Sequence, residues 1–124
     1  MGLDALRGEI PDYAKDLRLN LGSVIANAAL DPAGAWGSAL SAALVCKNAR
    51  VIEAVLEDAR EHLDDTLLEG CRSAAAIMSM NNVWYKFRDS IDDDEVKGQP
   101  AKLRMNVMMS HGGVDKALFE TWSL

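Results

Sequence analysis

Asn48-Ala49-Arg50-Val51-Ile52-Glu53-Ala54-Val55-Leu56-Glu57-Asp58-Ala59-Arg60-Glu61-His62-Leu63 decides the fold class. Val51, Ile52, Val55, Leu56, Ala59 and Leu63 recur at the spacing of one helix face. Glu53, Glu57, Asp58, Arg60 and Glu61 cover the remainder. Asn48 stands where a helix needs a side-chain acceptor for its first free N–H groups. The stretch reads as an amphipathic helix with a polar outer face.

Working outward, the same period recurs on both sides. Upstream, Asp31-Pro32 reads as an N-cap followed by proline at the first helical position, opening a helix to about Cys46. Ala33, Gly34, Ala35, Gly37, Ser38, Ala39, Ser41, Ala42 and Ala43 surround a single Trp36. Such small residues let neighbouring backbones approach closely, so this helix is expected at the centre. Further upstream, Pro11 separates a short turn (Leu3 to Arg7) from a helix over about Asp12 to Asn27, with Tyr13, Leu17, Leu21 and Val24 on one face. Downstream, Asp64 or Asp65 caps a long helix reaching about Phe87. Its expected stripe is Leu67, Cys71, Ala74, Ala75, Met78 and Tyr85. Asp92 to Pro100 reads as a solvated loop and Leu103 to Met109 as a short helix ended by His111-Gly112-Gly113. Asp115 caps a last helix, Lys116 to Leu124. No segment alternates apolar and polar residues as a half-buried strand does. The expectation is an all-α, compact antiparallel helical domain over residues 1–124, centred on the third and fifth helices.

Composition bounds the function. The 124 residues are 49% apolar and suffice for one core. Thirteen basic against nineteen acidic residues give a net charge of −6, which speaks against nucleic acid and anionic membrane surfaces as partners. No apolar run reaches the length of a membrane span. The charged first twenty residues do not form a secretory signal, and two cysteines without a framework spacing fit a reducing compartment. The last helix is gathering a buried face (Ala117, Leu118, Trp122, Leu124) when the sequence stops without a terminating signal, which reads as a cut.

Few side chains suggest chemistry. Cys46 and Cys71 lie outside any CxxC and read as buried thiols that do not pair. His62 sits where it complements a helix end, and His111 lies in a glycine-rich turn; with no Cys/His/Asp cluster at ligand spacing, no metal site is expected. Asn81 and Asn82 interrupt an apolar helix and call for buried partners, helix ends or loop carbonyls in the ordinary reading. Glu120, between Phe119 and Trp122, is either a solvated or ion-paired carboxylate, or one held among aromatics and suited to proton transfer.

Three segments carry a resemblance: Ile10-Pro11-Asp12-Tyr13-Ala14-Lys15-Asp16-Leu17-Arg18-Leu19-Asn20-Leu21, Ala75-Ala76-Ile77-Met78-Ser79-Met80-Asn81-Asn82-Val83-Trp84-Tyr85, and Leu103-Arg104-Met105-Asn106-Val107 through Phe119-Glu120-Thr121-Trp122-Ser123. Together they resemble the alkyl hydroperoxide reductase D proteins, alkylhydroperoxidases of the carboxymuconolactone decarboxylase superfamily, from about residue 3 to residue 124. The resemblance implies an all-helical, homotrimeric, cytoplasmic antioxidant enzyme. Such an enzyme is a lipoyl-dependent peroxidase: it reduces organic hydroperoxides and passes electrons from dihydrolipoyl groups of a 2-oxoacid dehydrogenase component to a peroxiredoxin. Dihydrolipoamide is then the electron donor, and no cofactor is bound.

The family's chemistry uses a CxxC pair, nearby His residues and a proton-relaying Glu in Phe-Glu-x-Trp-Ser. That Glu corresponds to Glu120. The CxxC falls beyond Leu124, so the sequence matches the scaffold part of the family without its cysteine pair, and these residues alone are expected to be inactive. The family is an internal duplication. Trp36-Gly37-Ser38 loosely resembles Trp122-Ser123, and Cys46-x-x-Ala49 then stands where a degenerate CxxC would lie. Two other readings stay open: a non-catalytic helical oligomerisation or binding module, and another reaction of the superfamily with His111 or Glu120 as acid/base.

Overall fold

The computed structural model describes residues 2–124. Eight α-helices account for the fold, and no strand occurs among the described residues. They are α1 Gly2–Glu9, α2 Lys15–Leu21, α3 Pro32–Val45, α4 Ala49–Ala59, α5 Asp65–Ser90, α6 Asp94–Lys97, α7 Asn106–Ser110 and α8 Lys116–Trp122. Single 3₁₀ turns lead into α2 (Asp12–Ala14) and follow α7 (His111–Gly113).

The caps are where the sequence places them. Asp31 accepts from Gly34 N–H at 2.8 Å, Asn48 from Val51 N–H at 3.1 Å, and Asp64 from Leu67 N–H at 2.9 Å. Each satisfies a donor that the first helical turn leaves free. The core forms between α3 and α5 as expected: Leu40 and Ala43 of the one and Cys71 and Ala74 of the other are all buried. Ser41 Oγ donates to the Cys71 carbonyl at 3.5 Å across it. On the other side of α3, α4 packs with Ala54, Val55 and Ala59, and α1 lies on α4 through Leu3 and Leu6.

Several expectations are corrected. The second helix is only seven residues long and stops at Gly22, against which the Arg7 guanidinium is packed. Arg7 Nε donates to the Arg18 carbonyl at 3.1 Å, capping that end from outside the helix. The face expected to be buried there is largely in solvent: Tyr13, Leu17 and Val24 are exposed. The N-terminal turn is instead a two-turn helix whose first N–H groups are bound by Asp58. Gly2 and Leu3 donate to Asp58 Oδ1 and Oδ2 at 2.7 and 2.9 Å. Asp58 is therefore a buried acceptor and not part of the polar cover of α4. On α5 the buried arc is Leu68, Cys71, Ala74, Ala75, Ile77 and Asn81, while Tyr85 is exposed. Within the expected 92–100 loop, Asp93 caps one further turn, α6.

Candidate functional site

The Phe-Glu-x-Trp segment lies on α8. Asp115 Oδ2 accepts from Ala117 N–H at 3.1 Å and Leu118 N–H at 3.4 Å, starting the helix. Phe119 and Trp122, three residues apart, share one face and are buried. The Trp122 indole enters the cleft between α3 and α5 and donates from Nε1 to the Ala33 carbonyl at 3.2 Å. Two glycines make the slot. A Cβ on Gly37 of α3 would overlap the indole, and one on Gly70 of α5 would lie 2.9 Å from its Cζ3. Phe119 is held by the turn before α8: the His111 ring meets it edge-on at 6.2 Å, and Gly112, at φ +61°, crosses it where a Cβ would lie 3.1 Å away.

Glu120 points elsewhere. One residue on from Phe119 is a rotation of about 100° round the helix, which takes the carboxylate out of the aromatic face. Glu120 is exposed, and its Oε1 lies 3.9 Å from Lys116 Nζ one turn back. Of the two readings left open, the solvated, ion-paired one describes this structure.

Beside Trp122 runs a groove of about 440 Å³ between α3, α5 and the end of α8. Its walls include Ala42, Val45, Met78 and Trp122, and no charged residue lines it. Three of its four hydroxyls are turned back to the backbone: Thr121 donates to Ala117 O at 2.8 Å, Ser123 to Phe119 O at 2.8 Å, and Ser41 to Cys71 O. Asn82 also lines it, and Glu120 does not. The groove offers an apolar surface without a nucleophile or a base.

The two cysteines differ. Cys71 is fully buried, and desolvation pushes its thiol up to about 11, with the Ser41 hydroxyl opposing. It is unsuited to nucleophilic attack near neutral pH. Cys46 is exposed at the C-terminal cap of α3, contrary to expectation, because α3 ends there and the chain turns through Lys47 at φ +57°. Cys46 and Cys71 are both free thiols. His62 lies past the end of α4 and stacks on Trp36, centroids 4.8 Å apart and planes 9° from parallel. Asn81 is buried with Oδ1 unpartnered, and Asn82 is exposed, so neither bonds as its apolar surroundings suggested. Among the described residues no three His, Cys, Asp or Glu side chains group as metal ligands, and no helix is long and apolar enough to cross a membrane. The sequence reading places Gly37 only among close-packing small residues and Asp58 in a polar cover, and passes over Gly70; the roles of all three come from partners far along the chain.

No family model matches the chain. Curated relatives do. The chain is 46% identical over all 124 residues to an alkyl hydroperoxide reductase AhpD of Rhodospirillum centenum, covering 66% of that protein. It is 46% identical over its whole length to one from Streptomyces avermitilis, covering 70% of it, and 41% identical to one from Brucella canis, also covering 70%. The chain thus spans about two thirds of the length of the curated relatives it matches. End-to-end identity at this level, with Phe119 and Trp122 buried as the anchors of α8, leads to one conclusion: the chain belongs to the alkyl hydroperoxide reductase AhpD family.

Proposed function

We propose that this protein serves an antioxidant, peroxide-reducing oxidoreductase as its α-helical scaffold. The observation that carries the reading is the 46% identity, over every residue of the chain, to proteins named alkyl hydroperoxide reductase AhpD. In the reaction proposed, a cysteine thiolate attacks the terminal oxygen of an organic hydroperoxide. The O–O bond breaks, the alcohol leaves with a proton, and a sulfenic acid remains on sulfur. A second thiol displaces water from that sulfur to give a disulfide, which a dihydrolipoyl group on a 2-oxoacid dehydrogenase component reduces while forming its own ring disulfide. The regenerated dithiol also reduces a peroxiredoxin disulfide by thiol–disulfide exchange, becoming a disulfide that dihydrolipoyl reduces again. The proposed setting is a homotrimer in the cytoplasm.

The residues of this chain supply the frame and, in Glu120, the outer member of a proton relay acting through a histidine and water on the attacking thiol. No CxxC is present in the sequence, Cys71 is buried with its thiol pushed up to about 11, and Cys46 has no second cysteine beside it. The 124 residues alone are therefore inactive in this reading, with the domain over 1–124 corresponding to the part of the family that precedes its CxxC.

The test is consumption of an organic hydroperoxide with dihydrolipoamide as donor, comparing this chain with a longer one that continues into a CxxC. Turnover by the longer chain and none by the shorter is expected. In the longer chain, Glu120→Gln should slow turnover roughly 10²–10⁴-fold, the usual cost of a lost acid–base group. Equal rates from both chains would make Cys46 or Cys71 the nucleophile. Inactivity of both would favour a non-catalytic helical module.

A further inference from the structure

We propose that α5 holds one structural water molecule, which bridges the side chains of Asn81 and Trp84. Among the described residues, two buried side-chain polar atoms have no hydrogen-bond partner: Asn81 Oδ1 and Trp84 Nε1. They belong to residues three apart on the same helix, and side chains at that spacing are neighbours on its surface. Asn81 is 7% exposed and follows Ile77, itself buried, by one turn; Trp84 is half-buried. One orphan is an acceptor and the other a donor. Two complementary orphans side by side point to one ligand shared between them.

The chemistry of the two atoms selects that ligand. Buried polar groups in folded proteins are almost always hydrogen-bonded, and stranding one is costly. An amide oxygen only accepts, and an indole N–H only donates. The ligand must therefore donate to Asn81 and accept from Trp84. A cation suits the oxygen but repels the indole N–H, and an anion does the reverse. A neutral molecule that both donates and accepts satisfies the pair, and water is the smallest. Both atoms are already enclosed by this chain, so a further segment or a partner protein reaches neither without opening the fold.

The spacing agrees. Cβ atoms three residues apart on a helix are about 5–6 Å apart, and a helical Trp leans back over the preceding turn, here toward Asn81. One water with two hydrogen bonds spans about 5.5 Å. The bridge gives a reason for an amide in the same buried arc as Cys71, Ala74 and Ile77. It also orients the Trp84 indole, on which the Phe87 ring packs with centroids 6.4 Å apart. The inference does not rest on the peroxide chemistry.

Nuclear magnetic resonance of the ¹⁵N-labelled chain tests it. The chain has three tryptophans, and Trp84→Phe assigns the indole signal that matters. That N–H should show a cross-peak to the water resonance. Its sign in the rotating frame should be that of dipolar contact with a long-held water, opposite to that of proton exchange. No cross-peak, or one with the sign of exchange, would overturn the proposal. Asn81→Leu should abolish the cross-peak with helical circular dichroism unchanged, and its persistence would remove Asn81 from the site. Should Asn81→Leu fail to fold, the parent spectrum still decides. A cycle of Asn81→Leu, Trp84→Phe and the double variant gives a second readout. Each single change strands the other polar atom, so the urea midpoint of the double variant should fall by clearly less than the two single shifts together. Additive shifts, or a crystal structure with Trp84 Nε1 bonded directly to Asn81 Oδ1, would overturn the bridge.

Discussion

Gly37 of α3 lies directly beneath the indole of Trp122, so close that no side chain fits between them. This contact, 85 positions apart in the numbering, fixes how α8 meets the central pair of helices.

Gly37→Ala forces the indole out of its slot or the backbones apart. Overpacking of this kind costs about 1–3 kcal/mol. The urea midpoint should fall accordingly, and the tryptophan emission should move to longer wavelength as the ring gains water. An unchanged midpoint would mean that the cleft between α3 and α5 yields freely.

Asp58→Ala removes both acceptors from the start of α1. Gly2 and Leu3 are buried there, so two N–H groups lose their partners, at a cost of about 2–3 kcal/mol. Asp58→Asn keeps one acceptor and should lose about half as much. Chemical denaturation of the two variants gives the comparison, and equal stability of both with the parent would remove Asp58 from the account of α1.

The thiols should separate by reactivity. A maleimide should label Cys46 in the native protein, while Cys71 should react only on unfolding. Cys71 also sets a pH dependence. Its thiol titrates at about 11 in the fold against 9.0 for the unperturbed group, so the unfolded chain loses that proton first as pH rises. Stability is then full below pH 9.0 and declines toward pH 11, with a slope of at most about 1.4 kcal/mol per pH unit. Cys71→Ala should flatten this limb whatever it does to stability at neutral pH.

Glu120 and Phe119 are neighbours with opposite expected effects on the fold. Glu120→Gln loses one exposed ion pair with Lys116 and should change stability by less than about 0.5 kcal/mol. Phe119→Ala empties a fully buried position and should cost about 3–5 kcal/mol. A thermal melt of each suffices. A large loss from Glu120→Gln would give that carboxylate a structural partner other than Lys116.

The pattern of what was legible follows the range of the interactions. Asp31, Asn48, Asp64 and Asp115 bond three residues or fewer ahead, so their roles are written locally and the helix starts could be read from the sequence. Asp58 bonds across 56 positions, and nothing in its own helix distinguishes it from Glu57 or Glu61. Cys46 reads as buried because an alanine-rich helix continues a buried pattern up to its last residue, whereas α3 ends there and the chain turns away through Lys47. For the site, the burial of Trp122 followed from the apolar spacing of the last segment. The placement of Glu120 did not, since flanking aromatics in sequence become opposite arcs on a helix. Gly37 and Gly70 carry no local signal of the ring they accommodate.

The slot for Trp122 also orders events in time. It exists only after α3 and α5 have paired, and α8, at seven residues, is too short to persist as an isolated helix. Its docking closes a loop of 89 positions between Ala33 and Trp122, a late step when folding proceeds from near contacts to distant ones. Run backward, the same order lets α8 open before the central pair, so amide hydrogens at 116–122 should exchange ahead of those in α3 and the first half of α5. The segment carrying Glu120 is thus a latch on a finished core, able to come loose without unfolding what lies beneath it.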